Sequence, residues 1–152
     1  APTRKRFAVV TQAADLIKQL DLHPHPEGGW YRQTWIEDTA AGRPAGTCIY
    51  FLLEAHGTSR WHKVDATEIW HFYAGSPLQL SISATSNGPA KKFALGSDLA
   101  ASHRPQLIVP AHHWQMAQAG NGWALVGCTV SPGFSFSGFD LAPSGFEIPH
   151  QT

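Results

Sequence analysis

Beyond residue 30 the chain reads as a succession of short runs in which apolar and polar positions alternate, the period-two pattern of strands with one buried face. Such runs lie near 30–36, 47–53, 59–64, 67–73, 78–83, 91–95, 105–109, 113–118 and 123–130. Turn formers punctuate them, as in Ala74-Gly75-Ser76-Pro77 and Ser86-Asn87-Gly88-Pro89. Upstream the period changes. Ala13, Leu16, Ile17 and Leu20 fall on one stripe at helical spacing, which predicts a short helix over about residues 11–21, with Thr11 as its cap and Asp15 in its first turn. His23-Pro24-His25-Pro26 then forces an extended entry, since each proline disfavours helical geometry in the residue before it. Many short strands joined by tight turns predict an all-β sandwich or barrel. The expected organisation is one domain over 1–152, with the helix, a barrel over about 28–143 and a tail over 144–152. Phe134, Phe136, Phe139 and Phe146 are irregularly spaced, and their segment is expected to pack back along the barrel or against a partner subunit.

Charge narrows the partners. Lys plus Arg and Asp plus Glu are 11 each, so overall charge offers no attraction to nucleic acid or to an anionic membrane. Arg4-Lys5-Arg6 is read as a solvated tail. No stretch approaches the ~20 apolar residues of a membrane span, and residues 1–6 lead into no apolar segment, so the expectation is a cytoplasmic protein without a signal peptide. Cys48 and Cys128 stand alone in apolar surroundings and are expected to be small buried hydrophobes rather than a disulfide or redox pair.

Candidate chemistry concentrates in WHKVDATEIWHFYAG, residues 61–75. By strand parity His62 shares a face with Val64, and Glu68 shares one with Trp70 and Phe72. If the two strands pair as a hairpin across Asp65-Ala66, His62 and Glu68 meet inside. An imidazole and a carboxylate in an apolar cavity can be two metal ligands, an acid–base couple, or a satisfied structural pair. Trp70 and Phe72 are assigned to the pocket wall, whereas Trp61, His71 and Trp114 have the opposite parity and go to outer packing. A strand apolar on both faces suggests that something covers the outside, which favours a homodimer. Tyr31 and Arg32 alternate on the strand after HPEGG, and Arg32 is either a ligand contact or a structural ion pair. His23 and His25 are read as part of a stiff extended segment, with Glu27 the one acid nearby.

The stretch resembles the first cupin motif, H-x-H-x(3 or 4)-E-x(6)-G, with His62, Val64, Glu68 and Gly75 at the defining positions. Pro110-Ala111-His112-His113-Trp114-Gln115 resembles the second motif, P-x-G-x-x-H. HPEGGWYRQTW at 25–35, SRWHKVDATEIWHFYAGSPLQL at 59–80, VPAHHWQ at 109–115 and LVGCTVSPGFSFSGFDL at 125–141 are similar to the Cupin 5 family, over about residues 11–143. The resemblance implies a double-stranded β-helix, or jelly-roll barrel, with an internal ligand cavity and usually a dimer. It brings no established reaction, and fold alone does not supply one.

Two departures from the superfamily pattern shape the expectation. The metal set implied by the resemblance is three histidines and a glutamate, but Val64 and Gln115 occupy two of those positions. His62, Glu68 and Gln115 thus form an incomplete set, and a divalent metal is possible but not favoured. His112 stands where the motif has glycine. The reading is a small-molecule-binding cupin acting on a polar or sugar-like ligand, as a metal-free epimerase or isomerase with His62 as base or acid, Glu68 orienting it, and Gln115, Trp70, Phe72 and Arg32 around the ligand. The alternatives are a non-catalytic binding or sensor module and a metal-dependent cupin.

Overall fold

The computed structural model describes residues 11–152. Among them lie one α-helix, α1 (Ala13–Gln19), and eleven strands: β1 (His23–Pro24), β2 (Trp30–Glu37), β3 (Gly46–Leu53), β4 (Thr58–Val64), β5 (Thr67–Gly75), β6 (Leu78–Ser83), β7 (Lys91–Leu95), β8 (Gln106–Val109), β9 (Trp114–Ala119), β10 (Ala124–Ser131) and β11 (Phe139–Leu141). The Arg4-Lys5-Arg6 expectation lies outside the described residues. Every strand run anticipated from alternation is present. The strands form two antiparallel sheets, β1-β2-β3-β10-β5-β8 and β11-β4-β9-β6-β7, packed face to face as a jelly-roll barrel. No helix among the described residues is long and apolar enough to cross a membrane.

The helix begins one residue later than anticipated. Gln12, not Thr11, is its cap, because the Asp15 carboxylate one turn in reaches back to accept the Gln12 N–H at 3.0 Å. Its apolar stripe seats on Leu22, Leu52 and Leu125, on the outside of the six-stranded sheet. Inside the sandwich, Phe51, Leu53, Trp70, Leu78, Leu80, Leu95 and Val126 are buried together and fill one end completely. Cys128 is buried beside them, and both cysteines are free.

The hairpin expected across Asp65-Ala66 does not form. β4 pairs with β9 and β11, whereas β5 lies between β10 and β8, so the link carries the chain from one sheet to the other. Arg43 holds this corner, donating to both Asp65 oxygens at 2.9 and 2.7 Å. Parity survives the error, and His62 and Glu68 face one another across the sandwich rather than along a ladder.

The tail packs back on its own barrel. β11 adds to the β4 edge with Phe139 opposite Val64 and Leu141 opposite His62. Ala142, Phe146 and Ile148 then cover Trp61 and Trp114 on the outer face of the five-stranded sheet. Trp35, Tyr73 and Ile108 remain 44%, 49% and 58% exposed.

Candidate functional site

The filled end of the sandwich gives way, toward the start of β5, to a cavity of about 280 Å³. Small or short side chains create it: Thr47 and Ile49 of β3, Val64 of β4, and Cys128 and Val130 of β10 stand where the opposite end carries Phe51, Trp70 and Leu80. Tyr31 and Gln33 of β2 point in from one side, and Phe134, Phe136 and Phe139 close the other. Two histidines and two carboxylic acids reach the wall: His25, Glu27, His62 and Glu68.

His62, 2% exposed, commits both ring nitrogens. Nδ1 lies 2.7 Å from the Arg60 carbonyl oxygen, which can only accept, so Nδ1 carries a proton. Nε2 lies 3.0 Å from the Glu27 carboxylate. Burial alone would drive the proton off, but the Glu27 charge and hydrogen bond, helped by Glu68, overrule it and raise the pKa to about 9. His62 is an imidazolium at neutral pH, donating from both nitrogens.

Glu27 owes its position to local backbone. Gly28 has φ +105°, and a Cβ there would collide with the Thr58 carbonyl, so only glycine lets the loop lie this close to β4. The Arg60 N–H donates to the Glu27 carbonyl at 2.7 Å and pins the loop. The Glu27 N–H donates to His25 Nδ1 at 3.1 Å, which makes His25 the neutral Nε2–H tautomer. Burial lowers the His25 pKa against the pull of Glu27, and the charged His62 lowers it further.

Glu68 is the unsettled member. It is 7% exposed, and its Oε2 is buried without a hydrogen-bond partner. Burial pushes its pKa up to about 7, His62 opposes that, and the Glu27 charge adds to it. The Trp70 indole N–H donates to Gln115 Oε1 at 2.8 Å, which turns the Gln115 amide NH₂ toward Glu68. An orphaned buried acceptor is costly, by ~1–3 kcal/mol, unless a proton or a ligand satisfies it.

The structure thus brings His62 and Glu68 onto one cavity wall and separates the other candidates from it. Trp70 and Phe72, expected on the pocket wall, belong to the solid core, because β5 runs from the cavity at Glu68 to the filled end. Gln115 faces inward, but it is 1% exposed and spent between Trp70 and Glu68 rather than on a ligand. Arg32 is the outward member of its pair, 5.9 Å over the Tyr50 ring, while Tyr31 faces the cavity. His112 adopts φ +67°, as its place at a glycine position implied, and lies outside the cavity, as does His113. His71 is on the outer face, 3.0 Å from the Thr129 hydroxyl. Glu27, His25 and the three phenylalanines were not among the expected site residues.

A resident metal does not fit these groups. Both His62 nitrogens are engaged within the protein, Nδ1 by the Arg60 carbonyl and Nε2 by the Glu27 carboxylate, Val64 has no donor atom, and the Gln115 carbonyl oxygen already accepts from Trp70. Among the described residues no group of three or more His, Cys, Asp or Glu side chains is arranged to hold a metal ion.

A family model described as Cupin superfamily (DUF985), Cupin_5, matches residues 14–142. Protein SO0799 from Shewanella oneidensis is 40% identical, with a TM-score of 0.81 over 88% of this chain and 85% of that one. A hypothetical protein from Leishmania major is 28% identical, with a TM-score of 0.77 over 90% of each chain. The oxalate decarboxylase of Bacillus subtilis shares the fold at 14% identity and a TM-score of 0.62, over 81% of this chain and 31% of that one. No curated protein matches.

Proposed function

The chain belongs to the Cupin_5 family of the cupin superfamily, and on that premise we propose that its cavity binds a small organic molecule against Glu68. The observation that carries this reading is the Glu68 Oε2 atom, a buried acceptor on the wall of a largely apolar cavity with nothing to accept from. Pockets of this kind, apolar walls with a few convergent polar groups, are where small ligands are held. The volume of about 280 Å³ sits at the small end of such sites and suits a single ring or short chain. Gln33, Thr47 and Tyr31 add neutral polar groups around the same space.

A second reading, proton transfer, is favoured by one specific property. Glu68 holds its proton with a pKa of about 7, which suits a general acid or base at neutral pH. In an epimerase-like or isomerase-like reaction Glu68 would take or return the proton. His62, with both nitrogens engaged, would contribute a fixed positive charge beside it. The substrate of the Bacillus enzyme does not transfer, because that likeness is one of fold.

The test is capture from a cell extract in deuterated water, followed by mass spectrometry of the protein-bound and released small molecules. Wild type is expected to retain a small molecule that Glu68→Gln does not. A stable deuterium label in that molecule supports catalysis, and retention without label supports binding alone. Equal capture by both proteins would overturn the assignment to Glu68. We further propose a homodimer formed over the face that exposes Tyr73 and Ile108; a monomeric mass in analytical ultracentrifugation would refute it.

A further inference from the structure

We propose that the ligand of this cavity is an organic ammonium ion, with an N–H donated to Glu68 Oε2 and its carbon body held against Phe134, Phe136 and Phe139. This rests on the reading of the cavity as a small-molecule site and adds the charge and the donor that the molecule must carry.

Charge around the cavity selects the class. The wall holds two carboxylates, Glu27 and Glu68, and neither lysine nor arginine. One positive group, His62, is consumed by Glu27 at 3.0 Å. His25 is neutral, since its Nδ1 accepts the Glu27 N–H. Once Glu68 ionises, above about pH 7, one carboxylate is left without a counter-charge, and burial in low dielectric makes that deficit expensive. A cation removes it, a neutral molecule leaves it, and an anion adds to it.

Hydrogen bonding points the same way. Oε2 of Glu68 needs a donor from outside the protein, because the nearby amide of Gln115 is fixed by Trp70 and serves Glu68 from the β9 side. A primary, secondary or tertiary ammonium brings donor and charge in one atom, and charge-assisted hydrogen bonds are about twice as strong as neutral ones.

The rings supply the third element. Phe134, Phe136 and Phe139 have centroids 5.0, 5.6 and 6.0 Å apart in edge-to-face pairs, and all three line the cavity. Aromatic rings attract a cation lying within ~6 Å of a centroid; Phe134 and Phe139 are half-buried whereas Phe136 is 56% exposed, so the first two rings carry this contact. They accept the alkyl or aryl body equally well. A phenyl wall opposite an unpaired carboxylate is a site for a cation with an apolar skirt.

Isothermal titration calorimetry with benzylammonium, benzyl alcohol and benzoate, at about pH 8 where Glu68 is ionised, tests the class on three probes of one shape. Benzylammonium is expected to bind at least about tenfold more tightly than benzyl alcohol, and benzoate not measurably. Benzyltrimethylammonium, which keeps the charge and lacks the N–H, is expected to fall between the first two. In Glu68→Gln the preference for benzylammonium over the alcohol should disappear while alcohol affinity is retained, with circular dichroism confirming the fold. Alcohol or benzoate binding as tightly as the ammonium overturns the proposal and leaves the cavity reading standing. Failure of all four probes while the extract experiment still yields a captured molecule also overturns the ligand class alone. Failure of both overturns the cavity reading itself.

Discussion

Replacing Glu68 with glutamine should make the protein more stable, and increasingly so as the pH rises from about 4.5 to about 7. In the unfolded chain the carboxyl titrates near 4.5, whereas in the barrel burial and Glu27 raise it to about 7. Between those values the unfolded state has released its proton and the folded state has not. The unfolded state then binds fewer protons, so stability falls with rising pH, by ~1.4 kcal/mol per pH unit. Over the whole interval this amounts to about 3 kcal/mol, fully lost above about pH 7. Glutamine keeps the shape and can still accept from Gln115, but it has no charge to desolvate. Some of the gain is returned because His62 loses one of the charges supporting its proton, which leaves a net of about 2 kcal/mol at neutral pH and above. Urea denaturation at a series of pH values reads this directly. With m near ~2 kcal/mol/M, the midpoint of Glu68→Gln should exceed that of wild type by about 1 M at about pH 8 and by almost nothing at about pH 4.5. A variant less stable than wild type at pH 8, or a gap that does not vary with pH, would refute the electrostatics argued for this centre.

Three further substitutions have defined outcomes. Glu27→Gln should cost about 3 kcal/mol near neutral pH, because His62 loses the partner that holds its proton in the buried site. The His62 pKa is raised in the folded state, so its stabilisation is complete below about 6.5 and disappears as the pH rises through about 9; denaturation midpoints of wild type and Glu27→Gln should converge over that range. In ¹⁵N NMR, wild-type His62 should remain an imidazolium at about pH 8 and lose that signature in the same variant. Gly28→Ala should cost about 1–3 kcal/mol from the φ of +105° and the clash with the Thr58 carbonyl, and should also lower the His62 pKa because Glu27 is displaced; a normal His62 signal would show that the loop does not position Glu27. Arg43→Ala should cost only about 1 kcal/mol in thermal or urea unfolding, since its bidentate pair with Asp65 is about a third exposed.

What the sequence disclosed follows from what strand parity measures. Alternation records which face a residue occupies, so the strands, the inward aim of His62, Glu68 and Gln115, and the outward aim of Trp61 and His71 were all legible. It carries no information about position along the barrel. Trp70 and Phe72 share the face of Glu68 yet lie toward the filled end, where Phe51 of β3 and Leu78 and Leu80 of β6 leave no space. Nor does it say which strand a run will pair with, so a two-residue link read as a hairpin is in fact a crossing between sheets. Glu27 and the Phe134–Phe139 rings escaped for another reason: they sit in a glycine-rich loop and around a 3-10 turn, where neither two- nor four-residue periodicity applies. His112 was legible through its backbone alone, a histidine in a turn that the motif reserves for glycine.

His62 draws its immediate neighbours from residues 27, 60, 68 and 139, which are scattered across most of the chain. No local segment can assemble that environment in advance. In a nascent or partly folded polypeptide these groups are hydrated and the imidazole titrates as an ordinary side chain, and its elevated proton affinity arises only when the last crossings close. A proton held by His62 at mildly alkaline pH is therefore a reporter of topological completion, visible even where the secondary structure of an incomplete barrel is already present.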